Sequence, residues 1–229
     1  MLEVRNLNAW YGDAQALFDV HCSVDTGQLV VLQGLNGAGK STLLASIMGL
    51  TDQSRRHTGT VRYENSIFQT ADKGLPPHQR ARAGLGYVAE DRRLFTALSV
   101  QENLSIAARP QSLGGQQTGQ AHSISSLEAR ALDLFPALKS MLKRPAAHMS
   151  GGEQQMLAIA RTLMTAPRIL LLDEPCEGIA PVLIEAIVQA LVLLKNQGMA
   201  MLVAEQNHLL ADHADHCLQL QAGYARNGN

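Results

Sequence analysis

Residues Gly34 to Ser41 read GLNGAGKS and fit the phosphate-loop pattern G-x-x-x-x-G-K-[S/T] at every fixed position. Gly34, Gly37 and Gly39 let the backbone turn tightly and aim its N–H groups inward, a concave set of donors suited to phosphate oxygens. Lys40 adds a cation, and Ser41 a hydroxyl that can hold Mg²⁺. QLVVLQ before the loop has the composition of a buried strand, and KSTLLASIMGL after it that of a helix with its N-terminus at the phosphates. A glycine-rich turn matching by accident would not require these flanks.

Two further runs share the character of QLVVLQ. RILLLDEP and MAMLVAEQ also read as strands buried on both faces, and the three end at Gly34, Asp173 and Gln206. In open parallel α/β sheets ligands bind at the carboxyl ends of strands, so these ends are expected to converge on one site. The predicted fold class is therefore α/β: a P-loop NTPase core, mostly parallel sheet flanked by helices. LEVRNL, ALFDVHCSV and TVRYENSIF are expected to form a small antiparallel β subdomain beside it. Pro76 and Pro77 open a short helix, and LGYVAE reads as a strand ending at Glu90.

From residue 91 to 150 the pattern turns helical. Ser99 precedes Glu102 at capping-box spacing, SLEARALDLF has helical periodicity, and PQSLGGQQTGQAHSISS between them reads as a flexible exposed loop. Residues 1–229 thus read as one domain, with 1–90 and 151–229 forming the core and its antiparallel part, and 91–150 an inserted helical subdomain. Ser150 and Glu153 again have capping-box spacing, ahead of an apolar face of Met156, Ile159, Leu163 and Met164. A plain core helix explains that much. Gly151 and Gly152 fit it poorly, because glycine weakens a helix by roughly 1 kcal/mol unless the backbone must be approached closely.

Composition excludes several classes of function. The chain carries 19 basic and 20 acidic residues, a balance without the excess that nucleic-acid binding calls for. No apolar run reaches the roughly 18 residues of a membrane span, and the N-terminus lacks the pattern of a signal peptide. Direct insertion into lipid is therefore not expected, and the chain reads as cytosolic. The 3 cysteines, widely spaced, fit reduced thiols. His208, His213 and His216 stand among aspartates and read as a polar helix face more readily than as a metal site.

Transfer of a phosphoryl group to water needs charge neutralisation on the phosphates, a Mg²⁺ holder and a group that activates the water. Lys40 and the loop amides fit the first need, Ser41 and Asp173 the second, and Glu174 is the natural general base, one residue beyond the metal carboxylate. Trp10 and Tyr11 lie upstream of the loop, where an aromatic can stack on a base or serve as a core or edge residue.

Taken in order, GLNGAGKS, SGGEQQ and LLLDEP resemble the nucleotide-binding subunit of ATP-binding cassette (ABC) transporters along essentially the whole chain. SGGEQQ is the specific element, since many NTPases share the phosphate loop. The resemblance implies an ATPase that works as a head-to-tail pair. Each ATP would lie between the loop of one chain, from Asn36, Gly37, Ala38 and Gly39 through Lys40, Ser41 and Thr42, and Ser150, Gly151, Gly152 and Glu153 of the other. It also implies Tyr11 as the adenine-stacking aromatic, Gln206 as a γ-phosphate contact, and Glu90 as the residue sensing Mg²⁺ and the transmembrane partner.

GYVAEDRRLF, SGGEQQMLAIAR, LLLDEPCEGIAP and LVAEQN are similar to the second ATPase subunit of branched-chain amino acid importers and the related urea and amide importers. That likeness implies a sister ATPase subunit or a second copy of the chain as partner, permease subunits in the membrane, and a place at the cytoplasmic face of the inner membrane. Gln206 stands where most of the wider family has histidine, Ala180 where many have aspartate, and Met149 where leucine is usual. The tail QLQAGYARNGN is short and polar for such a subunit. Gln206 and Ala180 also suit an alternative, an ATP-dependent dimerising module with weak hydrolysis. A soluble ABC ATPase of DNA repair or translation fits less well, given one cassette and no basic excess.

Overall fold

The computed structural model describes residues 1–50, 55–69, 74–108, 123–206 and 208–227. Most of the stretch read as a flexible loop lies outside these residues; its last part, from Ile124, opens a helix instead, capped by Ser123. The chain groups into two compact units: Met1–Glu90 with Arg168–Pro175 and Leu191–Asn229, and Asp91–Pro167 with Cys176–Ala190. No helix among the described residues is long and apolar enough to cross a membrane.

The first unit holds two sheets. Strands β1 (Leu2–Tyr11), β2 (Ala14–Val24), β4 (Arg55–Tyr63) and β5 (Ser66–Gln69) form an antiparallel sheet in the order β2-β1-β4-β5. TVRYENSIF, expected as one strand, is a hairpin: Tyr63 pairs with Ser66, and Glu64 between them takes a positive φ of 52°. A tight turn needs that left-handed step, and the apolar run on either side hides it in the sequence.

The second sheet runs β10-β9-β3-β8-β7-β6, from β3 (Leu29–Gln33), β6 (Leu85–Val88), β7 (Ile169–Asp173), β8 (Ala200–Glu205), β9 (His216–Gln221) and β10 (Tyr224–Asn227). It is parallel apart from the β9–β10 hairpin. Every residue of β3, β7 and β8 is buried, as strands covered on both faces must be. Gln33 pairs with Glu205 and Asp173 with Ala204, so the three carboxyl ends lie level. Helix α1 (Lys40–Met48) follows β3 and packs on β7 and β8; α2 (Pro77–Arg82) starts on its proline pair.

The polar tail is not one helix face. His208–His213 form a 3₁₀ turn, while His216 opens β9.

The second unit is helical. α3 (Val100–Ala107) and α4 (Ile124–Leu134) both pack on α5 (Gly151–Leu163), and both expected capping boxes form, at Ser99 with Glu102 and at Ser150 with Glu153. Buried Asn103 fixes the entry to α3, donating to the carbonyls of Phe95 (3.0 Å), Leu98 (3.2 Å) and Ser99 (3.0 Å). Helix α5 groups with α3 and α4 in this unit. Helix α6 (Pro181–Asn196) begins in this unit and ends in the first.

Candidate functional site

The loop between β3 and α1 positions Lys40 at the first turn of the helix. Gly39, immediately before it, has φ 107°, a conformation that side chains with a Cβ rarely adopt. The Lys40 ammonium is buried. It donates to the carbonyls of Gly34 (2.8 Å) and Leu35 (3.3 Å) and pairs with Glu174 Oε1 at 2.9 Å. Both charges are almost sealed from water, at 3% and 6% exposure, so removing either strands the other in a low-dielectric site.

Glu174 follows β7 with a positive φ of 46°, and its N–H donates to the Ala204 carbonyl (2.9 Å). Its other oxygen accepts from Gln206 Nε2 at 3.1 Å, and the same amide donates to Asn36 Oδ1 in the loop. Glu174, Gln206, Asn36 and Lys40 thus form one connected cluster. Glu205, the neighbour of Gln206, is buried, and its Oε1 accepts the Gln206 N–H (3.0 Å).

Ser41 Oγ donates to Asp173 Oδ1 (2.9 Å), and the Tyr87 hydroxyl, from β6, donates to Oδ2 (3.3 Å). Burial pushes the Asp173 carboxyl up to about 6; the Ser41 and Tyr87 hydroxyls oppose the rise, while Glu90 and Glu174 add to it. A desolvated carboxylate beside a hydroxyl is a pair of hard oxygen donors, the kind that suits Mg²⁺. Glu90 is exposed, in the turn after β6.

At the loop tip Leu35, Asn36 and Gly37 are exposed, and a Cβ on Gly37 would meet nothing within 4 Å, which leaves space for a phosphate against the backbone. Ala38 is buried, and its N–H is turned back onto the Leu35 carbonyl (3.1 Å). The Tyr11 hydroxyl is 3.1 Å from Thr42 Oγ1, and the residue is 38% exposed, which leaves it open to a planar base. Trp10 lies under the Arg56 guanidinium, 4.6 Å from its ring centre.

Ser150, Gly151, Gly152 and Glu153 belong to the second unit. Glu153 reaches back to the Ser150 N–H (2.7 Å), which fixes the mouth of α5. A Cβ on Gly152 would lie 2.4 Å from Leu183 Cδ1 and 2.8 Å from Ile179 Cγ2, so close packing already favours glycine there. Arg92 braces the same helix, donating to Gln155 Oε1 (3.1 Å) and Gln154 Oε1 (3.2 Å). Sequence reasoning missed Tyr87 and Arg92.

A phosphate loop between strand and helix, with a serine–aspartate pair and a second carboxylate at the neighbouring strand end, defines a P-loop nucleotide-hydrolysing protein. The chain belongs to the ABC transporter family, whose model matches residues 17–177, and is an ATP-binding cassette with ATPase activity. The high-affinity branched-chain amino acid transport ATP-binding protein BraG of Pseudomonas aeruginosa is 40% identical over 207 residues, spanning 90% of this chain and 82% of that protein. The probable branched-chain amino acid transport ATP-binding protein LivF of Archaeoglobus fulgidus is 36% identical over 208 residues, with the same 90% and 82% shares. Among solved structures, an ATP-binding cassette of an ABC transporter in its ADP conformation matches with a TM-score of 0.81 at 26% identity, covering 100% of this chain and 91% of that one. A dimeric cassette in a post-hydrolysis state, bound to ADP and Pi, matches with a TM-score of 0.80 at 25% identity, covering 100% and 98%.

Proposed function

We propose that this chain hydrolyses ATP to drive an importer of branched-chain amino acids, or of urea and related amides. It would work beneath permease subunits at the cytoplasmic membrane face, paired with a sister ATPase or a second copy of itself. The cluster of Lys40, Glu174, Gln206 and Asn36 carries the catalytic part of this reading, because it joins a phosphate-binding cation to a carboxylate base. The solute class rests on the likeness to BraG and LivF.

In the reaction, the loop amides and Lys40 hold the phosphates. Ser41 and Asp173 would hold Mg²⁺, which supplies charge neutralisation when bound. Phosphate oxygens compete with Glu174 for the Lys40 ammonium and the Gln206 amide. Glu174, relieved of both donors, takes the proton of the attacking water. Gln206 can donate to the γ-phosphate but brings no charge of its own. Tyr11 would stack on adenine, and Ser150 to Glu153 would close over the nucleotide of the opposing chain.

Uptake of labelled leucine and of labelled urea, in cells with and without the gene, tests the solute. Loss of leucine uptake supports the first solute, and loss of urea uptake alone moves the reading to the second. Loss of neither overturns both. ATP-dependent dimerisation without phosphate release in the assembled complex would instead establish the weakly hydrolysing module.

A further inference from the structure

The β9–β10 hairpin touches the phosphate loop at both ends. At the entry, Gln219 Nε2 donates to Gln33 Oε1 (2.5 Å), and a Cβ on Gly34 would stand 2.4 Å from the Leu220 carbonyl oxygen. At the exit, the Gly223 N–H donates to the Ala38 carbonyl (3.0 Å). The hairpin turn is itself anchored on β2: the Phe18 N–H donates to the Gly223 carbonyl (2.9 Å), and the Tyr224 ring stacks on Phe18 with centroids 4.7 Å apart. Gly223 has φ +82°, and a Cβ there would lie 2.4 Å from the Ala16 carbonyl oxygen, so only glycine fits the gap.

A peptide group is planar, and in the trans form its carbonyl and N–H point in opposite directions. Holding the Ala38 carbonyl against Gly223 therefore fixes the direction of the Gly39 N–H, one of the donors expected to face phosphate. That plane turns about the ψ of Ala38 and the φ of Gly39 (107°), and Gly39 has no side chain to restrain it. A donor that must be ordered at the moment of binding costs affinity; one ordered beforehand does not.

We propose that Gly223 is a positioning residue for phosphate binding. It acts through the Ala38–Gly39 peptide plane, and the C-terminal hairpin is a brace that pre-orders the loop. The inference rests on the reading of Gly34 to Ser41 as the nucleotide loop, and the test separates the two.

ADP affinity would be measured by calorimetry at low temperature on the full chain, as wild type, Lys40→Ala, Gly223→Ala and Gln219→Ala, with circular dichroism to establish folding. Gly223→Ala is expected to weaken ADP about tenfold, and Gln219→Ala, at an exposed side chain, about threefold, the scale of one hydrogen bond. A hairpin that only completed the sheet would lower the melting temperature and leave the affinity of the folded protein unchanged. Unchanged affinity in folded Gly223→Ala overturns the proposal; if that variant does not fold, unchanged affinity in Gln219→Ala does so. Unchanged affinity in Lys40→Ala overturns the loop reading itself.

Discussion

A carboxylate acts as a base only where its oxygens can be reached, and Glu174 is held by two donors, Lys40 and Gln206, that a phosphate can also engage. Glu205 ends the neighbouring strand, and its Oε1 is instead occupied with the Gln206 backbone N–H. Glu174→Gln is therefore expected to bind Mg-ATP and lose about 10² to 10⁴ in turnover, while Glu205→Gln keeps most of it. Phosphate release from the chain with its partner checks both; a dead Glu205→Gln would move the base. Asp173 carries a pH signature. Its carboxyl is raised from 3.8 to about 6, so the fold favours the neutral form. The resulting penalty is absent below the unfolded value, grows as pH rises through the interval, and is complete above about 6. Metal-free wild type should gain roughly 1 to 2 kcal/mol relative to Asp173→Asn between pH 7 and pH 5, measured by denaturant unfolding.

Among the elements, α1 shows how a single side chain can hold a helix end. Arg80 of α2 is 1% exposed and donates to the carbonyls of Ser46 (3.0 Å) and Ile47 (2.7 Å) in the last turn of α1, and to those of Leu75 (2.8 Å) and Phe68 (3.3 Å). Burial lowers its pKa to about 10, which leaves it cationic at neutral pH, the sign a helix C-terminus favours. Arg80→Met keeps the stem and strands those carbonyls. We expect a loss of roughly 2 to 3 kcal/mol in thermal or denaturant unfolding; an unchanged stability would mean that water replaces the guanidinium. The elements around the site were legible where local pattern decides: GLNGAGKS, the three buried runs and the two capping boxes all depend on near neighbours. The β9–β10 hairpin was not, because its strands are short and polar and its turn rests on positive φ at Ala222 and Gly223. Tyr87 on Asp173 was not, because it depends on which strands lie side by side.

For the molecule as a whole, net charge is −1 and no described helix is long and apolar enough to cross a membrane. Flotation with protein-free anionic liposomes should leave the chain at the bottom of the gradient; co-flotation would establish direct lipid binding. The order of the parallel sheet also bears on synthesis. β3 is built from residues 29–33, yet the strands on its two sides come from residues 200–205 and 216–221. At about 5 to 20 residues per second, a ribosome completes GLNGAGKS some 10 to 30 s before either neighbour exists. During that interval an apolar strand has two open edges, the template on which unrelated chains aggregate. A nascent chain halted before residue 200 has its phosphate loop spelled out in full and neither of the strands that flank β3. ATP in the cell can then stabilise only copies in which those flanking strands are in place.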